Sequence, residues 1–297
     1  MKCDLCPRKC LVDRKKGEKG ICGQTENLKV ARAALHFWEE PCISGDAGSG
    51  AVFFSGCPLH CVFCQNENIA NGTVGKEISL ERLVDIFLEL QEKGANNINL
   101  VTPGHFVPQI VKALDQAKKE GLTLPVVYNT SSYETVETIK RLEGYVDIYL
   151  PDFKYMSPVL SKKYSHAPDY AEVVKAAIAE MVRQTGKAVF VNGDEDNLIL
   201  SGTIVRHLTL PGCMADSMQI LKYLHETYGD MIYISIMNQF TPLSNLEKYP
   251  ELNRRITDEE YETLVDYAIE IGIENGFIQE GDTAEESFIP AFDCEGV

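Results

Sequence analysis

No apolar run in this chain approaches the roughly 18 residues that a membrane helix needs. Its first stretch, MKCDLCPRKCLVDRKKGEKG, lacks the apolar segment of a secretion signal. The expectation is a cytoplasmic protein with no membrane partner. Basic residues are also scarce: 28 Lys and Arg against 44 Asp and Glu leave a net charge of −16. Phosphate binding needs clustered Lys and Arg, so this balance speaks against a nucleic-acid partner. There is no internal repeat of fixed period and no low-complexity segment, which excludes a repeat array. The hydrophobic fraction of 44% is ordinary for a globular protein, so a sizeable core can be buried. Cysteine is not scarce. The chain has ten, and seven of them lie in two tight groups. In a cytosolic chain such clusters serve metals or catalysis more often than disulfides.

The pattern along the chain divides it at about residue 45. Residues 1–45 read as a Cys-rich module followed by a connector. The module, residues 1–25, is too short to fold on a hydrophobic core alone. The connector, residues 26–50, ends in the flexible run Gly45-Asp46-Ala47-Gly48-Ser49-Gly50. Residues 46–297 form the main domain. There, short apolar strands at 51–54, 97–101, 126–128, 146–150 and 231–236 alternate with longer amphipathic stretches, the first N-capped by Ser79. Segments 188–191 and 203–208 flank a polar turn at Gly193–Asn197 and fit either a hairpin or two barrel strands. Alternating β and α with short strands implies a parallel sheet with helices outside. Six or seven units suit a partial (β/α)6-type parallel barrel better than a closed eightfold one, with its chemistry on loops at the C-terminal strand ends. The pair Phe37 and Trp38 reads as core packing.

Directly after the first of these strands comes Ser55-Gly56-Cys57-Pro58-Leu59-His60-Cys61-Val62-Phe63-Cys64. This is C-x3-C-x2-C, three soft thiolate ligands on one loop, suited to an iron–sulfur cluster. A cubane has four irons, so three local cysteines leave one iron open for a chelating substrate. A zinc knuckle with His60 as fourth ligand is the competing reading. This motif, after the first strand of a partial barrel, resembles the radical S-adenosylmethionine (SAM) superfamily. The resemblance implies a [4Fe–4S] cluster on Cys57, Cys61 and Cys64, with the methionine end of SAM on the open iron and Phe63 beside the adenine. It also implies the reaction: one electron cleaves the sulfonium to methionine and a 5′-deoxyadenosyl radical, which abstracts hydrogen from a substrate.

Loops after later strands should then contact the cofactor. After the second lies Thr102-Pro103-Gly104-His105, where the family commonly has Gly-Gly-Glu-Pro; Thr102 and Gly104 are candidates, through backbone approach. After the third lies Asn129-Thr130-Ser131-Ser132, with Asn129 and Ser131 as candidate ribose or carboxylate contacts. After the fourth lies Pro151-Asp152-Phe153-Lys154. Asp-x-Lys here resembles the pyruvate formate-lyase activating enzymes, and implies that Lys154 reaches the cofactor carboxylate while Asp152 positions it. Arg206-His207-Leu208-Thr209-Leu210-Pro211-Gly212 resembles the Arg-x-x-x-x-Pro-Gly strand of the same enzymes, so Arg206 points at the cofactor and His207, on the other face, is structural. A surface ion pair is the plainer reading of Asp152 and Lys154.

Cys3, Cys6, Cys10 and Cys22 form C-x2-C-x3-C-x11-C, a ligand set for zinc or a second [4Fe–4S] cluster. Activating enzymes often carry extra cysteines after the radical motif, so this placement departs from theirs. Cys42, Cys213 and Cys294 are isolated and read as inert thiols. Three functions follow. The first is activation of a glycyl radical enzyme, with a flavodoxin- or ferredoxin-type electron donor. The second is modification of a small molecule or peptide. The third is a non-catalytic metal-bearing binding protein.

Overall fold

The structure is a computed structural model that describes residues 2–194, 197–242, 246–279 and 290–297. Its centre is one sheet of ten strands: β1 (Leu28–His36), β2 (Ser49–Phe54), β3 (Lys76–Ile78), β4 (Ile98–Val101), β5 (Val126–Thr130), β6 (Ile148–Pro151), β7 (Val189–Phe190), β8 (Ile199–Leu208), β9 (Tyr233–Met237) and β10 (Gly276–Ile278). The order is β10-β9-β8-β6-β5-β4-β2-β1-β3, with β7 paired to β8. From β2 to β10 every neighbouring pair on that path is parallel. The path is open, as a partial barrel requires, and β1 and β3 close its far edge as antiparallel strands. Of segments 188–191 and 203–208 only the second is a barrel strand, and the first pairs with residues 199–201 just before it rather than with 203–208 itself. β7 and the start of β8 form an antiparallel hairpin, and β8 then continues as a barrel strand beside β6.

The nine helices described are α1 (Pro41–Ser44), α2 (Glu67–Ala70), α3 (Leu80–Glu92), α4 (Val107–Lys119), α5 (Val136–Lys140), α6 (Pro158–Ser165), α7 (Tyr170–Thr185), α8 (Met214–Tyr228) and α9 (Asp258–Glu270). Ser79 caps α3, its Oγ accepting from the Arg82 N–H at 3.1 Å. The apolar stripe of α3, Leu83, Val84, Phe87 and Leu90, packs with Ile110 and Leu114 of α4 over the β1–β5 half of the sheet. Helices α7, α8 and α9 cover the other half around Tyr170, Ile178, Leu221 and Leu264. Each such side chain contributes about 1.5–3 kcal/mol by leaving water. No helix among the described residues is long and apolar enough to cross a membrane.

The expected connector is built differently. Residues 28–36 are a full strand, and 41–44 a helical turn begun by Pro41. Strand β1 escapes the pattern because a register shift between Val30 and Arg32 breaks its alternation. The C-terminal tail lies along β1, with Ala33 N–H donating to the Glu295 carbonyl and Cys294 N–H to that of Ala31. Of the segment 288–294, Phe288 and Ile289 fall outside the described residues, whereas Phe292 packs against Phe53 at 5.4 Å.

Candidate functional site

Gly56 opens the cysteine loop at φ +90°; a Cβ there would sit 2.5 Å from the Cys22 carbonyl oxygen. Only glycine lets the N-terminal segment lie this close. Cys57, Cys61 and Cys64 then line one wall of a cavity of about 350 Å³, the size of a small-molecule site. Leu59 N–H donates to Cys57 Sγ at 3.4 Å, and Ser165 Oγ to Cys61 Sγ at 3.1 Å. Burial pushes the Cys57 thiol up to about 11, with the charge of Cys61 adding to it. Burial also raises Cys61, against the pull of Lys154, and raises Cys64. Such thiols keep their protons until a metal displaces them.

Three soft ligands, hydrogen-bond donors already aimed at two of the sulfurs, and a cavity beside them fit a [4Fe–4S] cluster bound by three cysteines. Among the described residues no three His, Cys, Asp or Glu side chains converge to hold a single ion. A cubane does not ask for that, because each thiolate binds a different iron. His60 Nε2 donates to the Ile21 carbonyl at 2.7 Å, so that nitrogen is not free to be a fourth zinc ligand. Phe63 is buried on the same wall, edge-on to Phe240 at 5.9 Å and Tyr155 at 6.4 Å.

The facing wall is a chain of paired charges at the C-terminal strand ends. Lys154 Nζ meets Asp152 Oδ2 at 2.6 Å, and Arg206 Nε meets Asp152 Oδ1 at 3.1 Å. Arg206 Nη1 reaches Glu39 at 3.0 Å and Nη2 reaches Asn129 Oδ1 at 2.5 Å. Burial would raise the Asp152 carboxyl, but Lys154 and Arg206 hold it below its usual range. Burial would lower Lys154, but Asp152 holds it above. The pair is mostly shielded, 15% and 18% exposed, and networked, so it is not a surface ion pair. Arg206 spends its hydrogen bonds on Asp152, Glu39 and Asn129, which fixes the wall's shape. Charge-assisted pairs of this kind hold a zwitterion well.

Thr102, Asn129 and Ser131 line the cavity too. Thr102 is in the left-handed region at φ +55°, its N–H bound to the Asn129 carbonyl at 2.9 Å. Non-glycine residues there are strained, and such strain gathers at functional sites. Gly104 is not on the wall. A Cβ there would lie 2.7 Å from the Glu134 carboxylate, which accepts from Tyr128 and Thr130. His105 is also off the wall. Its Nε2 donates to the Ser55 carbonyl at 2.7 Å, and burial pushes the ring down to about 3. A neutral His105 thus clamps the end of β2 where the cysteine loop begins. His207 is equally buried, donating from Nδ1 to the Phe153 carbonyl at 2.7 Å between Asp152 and Lys154.

Glu39, Glu40 and Ser235 also line the cavity, and sequence reasoning missed all three. The one signal was two acids directly before a proline in a segment read as connector. Phe37 and Trp38 are not core: they are 49% and 60% exposed, with Trp38 at the cavity.

Cys3, Cys6, Cys10 and Cys22 share a second neighbourhood, and none lines the cavity. Burial pushes Cys6 up to about 12; a hydrogen bond from the Arg8 backbone opposes this, and the charges of Cys22, Cys10 and Cys3 add to it. Ile21 N–H donates to Cys10 Sγ at 3.3 Å. The module is fastened to the barrel by Arg8, which donates to the carbonyls of Pro58 at 2.9 Å, His166 at 2.6 Å and Ser165 at 2.9 Å. Cys42 is buried beneath the sheet among Ile43, Val127 and Ile148.

Residues 51–197 match the model of the radical SAM superfamily. An uncharacterized protein of Methanocaldococcus jannaschii is 27% identical over 276 residues, 90% of this chain and 74% of that protein. Among solved structures, SuiB of Streptococcus suis bound to S-adenosylmethionine superimposes with a TM-score of 0.52, at 12% identity, over 76% of this chain and 48% of SuiB. The chain thus spans about half the length of that protein, and at this identity the likeness is one of fold. A domain of a pyruvate-formate lyase-activating enzyme from Bacteroides vulgatus aligns with a TM-score of 0.41, at 12% identity, over 59% of this chain and 91% of that domain, too loosely to bear on function.

Proposed function

This chain carries a radical SAM domain, and from that premise we propose that it is a cytoplasmic enzyme that activates a glycyl radical enzyme by abstracting hydrogen from a glycine of that partner. The observation that carries the radical reading is the open set of three thiols on the cavity wall, facing a wall of paired charges. A [4Fe–4S] cluster with SAM supplies reductive cleavage of the sulfonium and a 5′-deoxyadenosyl radical. The chain's own work is to hold these groups and keep water out. Cys57, Cys61 and Cys64 are the cluster ligands. Lys154, oriented by Asp152, takes the cofactor carboxylate; Asn129, Ser131 and the Thr102 backbone complete its seat, and Phe63 offers an apolar face to the adenine. The Asp152-x-Lys154 pair followed by Arg206 supports the activating role, with a flavodoxin- or ferredoxin-type protein as electron donor.

The four N-terminal thiols are the proposed ligands of a second centre, zinc or a [4Fe–4S] cluster; no three of them converge on a single ion as they stand, so zinc would have to draw them together. A second reading, modification of a small molecule or peptide, is favoured by one observation: a buried carboxylate in the cavity has an unpartnered oxygen.

The test is 5′-deoxyadenosine release from anaerobically reconstituted protein with dithionite, beside Cys57→Ala. Release by the wild type alone is expected. Silence from both, with zinc bound in place of iron, would sink the radical reading. Transfer of the radical to a co-purified glycyl radical partner, seen by electron paramagnetic resonance, separates activation from the second reading.

A further inference from the structure

The segment between β1 and β2 enters the barrel from the end opposite the cysteine loop and delivers two consecutive carboxylates to the cavity. Glu39 is saturated: Oε2 accepts from Arg206 at 3.0 Å, and Oε1 from Asn99 Nδ2 at 3.0 Å and Asn129 Nδ2 at 3.1 Å. Glu40 is not. Its side chain lines the cavity and is 8% exposed, yet Oε2 has no partner among the described residues. Asn99, fully buried and bonded to Glu39, likewise leaves Oδ1 without a donor. Asn99 Oδ1 accepts hydrogen bonds, and Glu40 Oε2 accepts them when the carboxyl is ionised. The cations on the cavity wall are already committed, Lys154 to Asp152 and Arg206 to Asp152 and Glu39. Burial drives the Glu40 carboxyl upward and Glu39 adds to the shift, while Arg206, the Glu40 backbone N–H and the Ser235 hydroxyl oppose it, so the carboxyl is held on one side and only Oε2 is left over. A buried carboxylate oxygen without a donor is costly to maintain, and a wall that keeps one is set to receive a donor from a ligand.

We infer that Glu40 is a specificity-determining residue that receives an ammonium or guanidinium group of the substrate on the cavity floor. Calling that ligand the substrate rests on the radical SAM reading; the site itself does not. SAM also carries an ammonium, so the test separates the two sources.

The reconstituted full-length protein, with SAM present, is melted with n-butylammonium chloride, with 1-butanol, and with sodium chloride at matched ionic strength. The ammonium probe at tenfold its Kd should raise Tm by about 2 °C or more over both controls. Glu40→Gln should remove that increment, keep SAM affinity within about twofold by equilibrium dialysis, and melt without probe no lower than the wild type, since it removes a buried charge. Three results overturn the assignment. Equal shifts with butanol, or in Glu40→Gln, mean that water alone serves the oxygen. A tenfold loss of SAM affinity in Glu40→Gln means that the cofactor's ammonium sits there. A large drop in the Tm of Glu40→Gln means that a structural partner exists. Should the wild type release no deoxyadenosine while the ammonium shift persists, the radical reading fails and the cation site stands.

Discussion

The two cysteine groups lie against one another and are built for opposite ends. The Cys22 carbonyl packs on Gly56, the first residue of the cluster loop, so the N-terminal module forms the back of that loop. The loop offers three thiols to a cavity and leaves the fourth coordination position to a ligand. The module carries four thiols away from the cavity; four would close a structural site, although no three of them converge on a single ion as they stand. On the proposed function, adjacent motifs of one residue type would divide into an open set that serves chemistry and a second set that backs the loop.

The sharpest break of this comparison comes from removing each set in turn. Cys57→Ala, Cys61→Ala and Cys64→Ala together should reduce deoxyadenosine release to background, and the metal that remains should be that of the N-terminal centre. Replacing Cys3, Cys6, Cys10 and Cys22 by Ser should remove that residual metal and lower Tm, because a module without a core depends on its staple. Elemental analysis of both variants checks the assignment. If the second variant melts like the wild type and loses no metal, the four thiols are not a centre.

A smaller loss is expected on the wall that faces the loop. Asp152→Asn leaves Lys154 and Arg206 as buried cations without their shared partner. Breaking a buried pair in this way costs about 3–5 kcal/mol; Asp152 is 18% exposed, which places the effect at the low end. SAM affinity should fall at least tenfold while loop iron stays bound. Loss of iron together with affinity would mean that Asp152 supports the loop as well as the wall.

How far the sequence could be read differs in the same way between open and closed parts. Cys57, Cys61 and Cys64 declared themselves by spacing, because a cluster loop must carry its ligands within a few residues. Asp152, Lys154 and Arg206 were legible by their order after successive strands. Glu39 and Glu40 were not, since their neighbours Asn99, Asn129, Arg206 and Ser235 come from distant strands and only the closed sheet brings them together. Strand β1 was hidden by its bulge, and Gly104 drew attention as a loop glycine although its role is to make room for Glu134.

Next in size is Gly56→Ala. At φ +90° a side chain is strained by about 1–3 kcal/mol, and the new Cβ would press on the Cys22 carbonyl. The variant should melt several degrees lower and load less iron into the loop, with the N-terminal metal reduced in step because the two backbones share the contact. Unchanged metal at both centres would show that they are mechanically independent.

The smallest effect tests the brace itself. Arg8 lies between Cys6 and Cys10 in sequence, and its guanidinium ties Pro58 of the cluster loop to Ser165 and His166 at the end of α6 while lying 5.1 Å over the Tyr133 ring. Ser165 also donates to Cys61, so Arg8 holds the neighbour of a cluster ligand from behind. Each such hydrogen bond contributes about 0.5–1.5 kcal/mol net, and part of this one is solvent-exposed, so Arg8→Ala should cost about 1–2 kcal/mol. Lysine carries the charge but lacks the planar fork that reaches several carbonyls, so Arg8→Lys should recover less than half of the loss in Tm. Both variants should keep the N-terminal metal, and the loop cluster should become more sensitive to oxygen, seen as faster bleaching of its visible absorbance in air. Bleaching at the wild-type rate in Arg8→Ala would mean that the module is attached to the loop without bracing it.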